Sequence, residues 1–136
     1  MRFEAYIRVL SDEATIRSLY SNVNVPEVVI EQLKARKEGT DEKWWNWQTA
    51  KVEIDDFANI DREVRALLER YRPFFANIRN WPGPNSDIYL ELVSYYEENE
   101  RPSGLYLSAD SLRLLAELGA AIDKDAVPDV IFGKRT

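Results

Sequence analysis

The stretch Gly104–Asp125, GLYLSADSLRLLAELGAAIDKD, narrows the fold more than any other part of the chain. Gly104 to Leu107 reads as a short strand that pairs back as a hairpin with the strand before it. Ser108 stands where a helix N-cap belongs. Leu112, Leu115 and Leu118 follow as its inward residues, and Gly119 occupies the C′ position that stops a helix. Ala120 to Asp125 returns as a strand. So close an alternation of strand and helix predicts an α+β domain, with a mainly antiparallel sheet and helices packed on one face.

The rest of the chain fits that scheme. Phe3, Ala5, Ile7 and Val9 alternate with Glu4 and Arg8, the pattern of a half-buried strand. Ser11 is read as the cap of a helix carrying Ile16, Leu19, Tyr20 and Val23. Val25 to Glu38 suits a helix opened by Pro26 or a strand built on Val28, Val29 and Ile30. Trp44 to Ile54 alternates again, with Trp44, Ala50, Val52 and Ile54 on one parity and Trp45 and Trp47 on the other. Ile60, Val64, Leu67, Leu68 and Tyr71 form the clearest helical stripe, which Pro73 breaks or kinks. Phe74, Phe75, Ile78 and Trp81 add a further turn, and Pro82 to Asn85 is a rigid loop. Ile88 to Tyr96 is a strand, followed by a polar connection from Glu97 to Ser103. The order strand–Ser–helix occurs in both YIRVLSDEATIRSLY and LYLSADSLRLLAEL. Tandem β-α units explain that order, and so does chance similarity. We expect one domain over residues 1–128 and a short tail over 129–136, with Val130, Ile131 and Phe132 available to dock on the body.

Composition removes whole classes of chemistry. The chain has no Cys and no His, so disulfides, thiol catalysis, Cys/His zinc sites and imidazole triads are excluded. No secretory leader and no membrane-length apolar run is visible, so the expectation is a soluble cytoplasmic protein. Lys and Arg number 18 against 24 Asp and Glu, a net charge of −6. Such a surface disfavours nucleic acid and favours a basic protein partner. No cofactor motif, phosphate loop, nucleophile elbow or EF-hand occurs.

The C-terminal unit also carries a resemblance. Leu107-Ser108, Leu112, Leu115, Leu118-Gly119, Ile122 and Asp123 resemble the closing motif of the bacterial family called domain of unknown function 4279. Upstream, Pro26, Lys37, Gly39 and Trp44 can be placed on that family's pattern. The segment after Pro26 and the heavy WWNW cluster depart from it. The resemblance implies no activity. Members are similar to proteins found near bacterial toxin genes, where small acidic α+β proteins act as immunity proteins.

Three groups of residues stand out as candidate sites. Trp45 and Trp47 would offer rigid aromatic area to a partner, a sugar or a base if they face solvent, although packing in the core is the ordinary place for large aromatics. Asp87, Glu91, Glu97, Glu98 and Glu100 lie in the stretch 80–100, which contains no Lys or Arg. This strip would attract a basic surface, or is simply a solvated strand end. Asp123 and Asp125 point the same way from one strand, and Asp55 and Asp56 adjoin a helix start. Paired carboxylates hold hard cations or move protons only with a third group or a split environment, which sequence does not display. The expectation is a non-catalytic interaction module, and the resemblance implies one of the toxin-inhibitor kind. The alternatives are a carbohydrate or small-ligand binder using Trp and Tyr, and a carboxylate-based enzyme.

Overall fold

A computed structural model of the protein describes residues 1–23, 25–36, 39–78, 81, 86–100 and 104–129, with the side chain of residue 35 set aside. Among the described residues there are six strands and three α-helices. These are β1 (Arg2–Ser11), α1 (Glu13–Asn22), β2 (Val29–Arg36), β3 (Lys43–Gln48), β4 (Val52–Ile54), α2 (Ile60–Ala76), β5 (Asp87–Tyr96), α3 (Ala109–Leu118) and β6 (Ala121–Pro128). The strands form one mixed sheet of an α+β domain, in the order β2-β3-β1-β5-β6, with β4 also on β1. Every pairing is antiparallel except β5 with β6.

Alternation along β1 sets the layers. Phe3, Ala5, Ile7 and Val9 enter a single core with Ile16 and Leu19 of α1, Val64 and Leu68 of α2, and Leu115 and Leu118 of α3. All three helices therefore lie on one face. Arg2, Glu4, Tyr6, Arg8 and Leu10 take the opposite face and are half-buried.

Trp47 is the largest fully buried side chain. Its ring meets Tyr71 edge-on at 6.0 Å and Phe75 at 5.6 Å. Trp45 lies on the same side and packs against the core. Trp44 shares the opposite face with Asn46 and Gln48. The single parity expected from Trp44 to Ile54 is corrected by a bulge. Gln48 pairs with Arg8 and Val52 with Ala5, so Thr49, Ala50 and Lys51 face only Tyr6 and Ile7. That extra residue returns Val52 and Ile54 to the helix face. Thr49 holds the irregularity: its N–H donates to the Ile7 carbonyl at 3.0 Å. Its Oγ1 accepts from the Ile7 N–H at 3.1 Å.

The segment after Pro26 is a strand. Gly104 to Leu107 is not: it is irregular chain, with Leu105 and Leu107 packed against the core. The chain leaves β5, passes through α3 and returns as β6 parallel to β5, a crossover rather than a hairpin. The second strand–Ser–helix segment thus lacks the ladder-paired strand of the first. Asp12, not Ser11, caps α1 by accepting from Thr15 N at 2.7 Å. Ser108 caps α3, and Gly119 closes it at φ 76°, with Ala120 N bonding back to Leu115 O at 2.9 Å. Leu112, expected inward, is 49% exposed. Ser111 takes the inward place because Asp61 of α2 accepts its hydroxyl at 2.7 Å. Pro73 does not end α2, which runs on to Ala76. The loop 82–85, Lys37 and the tail residues Val130, Ile131 and Phe132 lie outside the described residues.

Candidate functional site

The face of the sheet opposite the helices carries a polar row that crosses five strands. Glu31 of β2 accepts from Asn46 Nδ2 of β3 at 3.3 Å. Asn46 Oδ1 accepts from Arg8 Nε of β1 at 2.8 Å. Arg8 also lies 3.8 Å from Glu91 of β5. A carboxylate oxygen of Glu91 lies within 4.8 Å of one of Asp123 on β6. The row follows from register, since Arg8 stands opposite Tyr89 and Gln48, and Glu91 stands opposite Tyr6 and Asp123. Alternation then delivers all these side chains to the same face.

Glu91 is the chemical focus. It is only 3% exposed, although it belongs to the polar face. Burial and the neighbouring Asp123 and Asp125 carboxylates push its carboxyl up to about 7, and Arg8 offsets only part of this. Carboxylate oxygens of Glu91, Asp123 and Asp125 lie within 4.8 Å of one another. With its carboxyl at about 7, Glu91 keeps its proton in mildly acidic solution, which lessens the repulsion among the three groups. Such spacing would also suit a hard cation once that proton is lost.

Tyrosines frame the carboxyl groups. Burial and the charge of Glu91 push the Tyr6 hydroxyl up; burial does the same at Tyr89, with help from Asp87. Farther along, the hydrogen bond to Glu4 pushes Tyr95 up to about 12. The Arg2 guanidinium stacks 3.9 Å above the Tyr95 ring.

The residues singled out from sequence do not form one surface. Trp47 is 0% exposed, which removes it as a contact residue for a partner or a sugar. Trp45 is half-buried on the helix side, with the Arg17 guanidinium 5.0 Å from its ring. Asp87 is exposed at the start of β5, opposite Leu10. Glu97 and Glu98 are exposed in the turn after β5, away from Glu91. Glu100 binds the Met1 ammonium at 2.8 Å and accepts from Glu97 N at 2.9 Å, so it closes its own turn.

Of the acidic strip, only Glu91 joins the polar row. Asp123 and Asp125 find in it the third carboxyl group that the sequence did not reveal. Arg8, Asn46, Tyr6 and Tyr89 escaped notice there. The parallel pairing of β5 with β6 is the step that links them, and it becomes visible only when 104–107 is not a strand.

On the helix side, a cavity of about 280 Å³ opens between α2 and α3. Leu68, Phe75, Trp81, Leu114 and Leu118 line it, and Trp81 Nε1 donates to Leu118 O at 3.1 Å. No described helix is long and apolar enough to cross a membrane.

No curated protein matches the chain. A family model does match, over residues 3–128, and its description is "Domain of unknown function (DUF4279)". The match takes in every strand but the first residue of β1, all three helices and the whole polar row, and the chain therefore belongs to the DUF4279 family.

Proposed function

We propose that this chain is a non-catalytic protein-interaction module whose helix-free sheet face docks a basic segment of a partner. One observation carries the reading. The described helices all pack on one face, and the other presents Asp87, Asp123 and Asp125, with Glu91 buried beside them, next to three tyrosine rings. Tyrosine supplies rigid contact area at low entropy cost, and carboxylates supply attraction and orientation toward Lys and Arg. The net charge of −6 steers a basic partner in the same direction. A cytoplasmic inhibitor of a basic toxin is the form of such a module that we favour.

A nitrogen-15 labelled sample titrated with a Lys/Arg-rich peptide tests this. Amide shifts should concentrate at Tyr6, Arg8, Tyr89, Asp123 and Asp125 and shrink as salt rises. The double variant Asp123→Asn/Asp125→Asn should lose most of the response, while Glu97→Gln/Glu98→Gln keeps it. Shifts confined to the helix side or to the 97–100 turn would overturn the proposal.

A further inference from the structure

We propose that the cavity between α2 and α3 is a binding site for a small apolar amine, held in its ammonium form. The cavity lies on the helix side, away from the polar face, so the proposal holds whatever that face docks.

The walls set the size and shape of the ligand. Leu68 and Phe75 of α2 and Leu114 and Leu118 of α3 give the cavity an apolar lining. Trp81 closes one side. Its ring sits 4.7 Å from that of Phe75, and its indole N–H donates to the Leu118 carbonyl at 3.1 Å. This wall is thus pinned to both helices, and a ligand meets a site already formed. The volume of about 280 Å³ falls at the small end of ligand sites, which suits a molecule of one ring.

Charge sets the class. Among the described residues, Arg72 and Glu117 are the charged members of the lining, and they stand 3.0 Å apart. Their charges cancel, so the preferred sign depends on what remains. Phe75 and Ala76 end α2, and Glu117 and Leu118 end α3. All four line the cavity. It therefore lies at the C-terminal ends of two helices, where the peptide dipoles leave partial negative charge. Neither helix has a basic residue in its last turn to offset that charge. The rings of Phe75 and Trp81 add the negative faces that attract cations. An anion is repelled by helix ends and rings alike, and a neutral molecule gains little from either. An ammonium gains from both. A carboxylate accepts several hydrogen bonds, so Glu117 can receive the ammonium at the mouth while keeping Arg72.

Titration of the carbon-13 methyl and nitrogen-15 labelled chain with phenethylamine tests the site. Phenethyl alcohol and phenylpropionate serve as neutral and anionic molecules of similar shape. Phenethylamine should saturably shift the methyl groups of Leu68, Leu114 and Leu118 and the indole N–H of Trp81. It should bind roughly tenfold more tightly than the alcohol, as helix ends and rings together imply, and the anion should bind most weakly. Variants at three exposed positions leave the core intact. Ala76→Trp fills the mouth and should abolish binding. Glu117→Gln should weaken the amine several-fold, and Arg72→Gln should tighten it. Shifts at Asp123 and Asp125 with none in the cavity would overturn the site and leave the docking proposal standing. The site is also overturned if the amine gives no saturable shift, if the alcohol or the anion binds as tightly, or if Ala76→Trp keeps the wild-type affinity.

Discussion

Trp47 shows how far a single side chain can be misread from pattern alone. Alternation correctly put it beside Trp45 and opposite Trp44, but it did not say which face was covered. The structure places it at the floor of the core against Tyr71 and Phe75. Trp47→Ala should therefore cost about 3–5 kcal/mol in urea unfolding, as large-to-small core changes do. Trp45→Ala, at the half-buried rim, should cost clearly less. Asp61 teaches the converse, because nothing in its local sequence marks it. It reaches from α2 to accept from Ser108 N at 2.8 Å and from the Ser111 hydroxyl, so one helix caps the next. Burial alone would raise its carboxyl, but these bonds and Arg65 hold it below the ordinary value. A depressed carboxyl stabilises the fold above its unfolded value of 3.8 and loses that stability as pH falls through the folded one. Asp61→Asn should thus flatten the acid limb of the stability curve below about pH 4 and cost about 1–2 kcal/mol at neutral pH.

Elements were legible where their own periodicity decided them. α2 follows its stripe from Ile60 to Tyr71, and α3 starts and stops at Ser108 and Gly119 as the capping residues demand. The parallel seam was not legible, because pairing between β5 and β6 joins residues about thirty apart through no local signal. LYL at 105–107 mimics a strand, yet its leucines are spent on the core. The polar row shares this fate, since it exists only once five strands are in register. Glu91 gives the seam a consequence for the whole fold. Its folded value of about 7 exceeds the ordinary 4.5, so the folded state holds the extra proton between these limits. Stability should then fall as pH rises from about 4.5 to about 7 and stay level above, a loss of the order of 3 kcal/mol at about 1.4 kcal/mol per unit. Chemical denaturation across that window should show the slope in the wild type and its absence in Glu91→Gln.

At the scale of the molecule, stability and interaction are divided between the two faces of one sheet. Three helices and nearly all of the apolar core occupy one side, and the polar row with Tyr6, Tyr89 and Tyr95 occupies the other. Substitutions such as Asp125→Asn on the polar face should therefore alter peptide affinity while changing unfolding free energy by less than about 0.5 kcal/mol. Family membership and the α+β layout were both legible in the sequence, the first from the Leu107–Asp123 motif and the second from alternation and helix caps. The bulge at Thr49–Lys51 adds a consequence for changes in chain length. Elsewhere in β3 or β4, removing one residue would turn every later side chain to the wrong face. Removing Lys51 would instead restore even pairing between Gln48 and Val52, with Trp45, Trp47, Val52 and Ile54 still facing the helices. The bulge is thus a length buffer, the one point in this ladder where evolution or an engineer can shorten the chain without rewriting what lies beyond it.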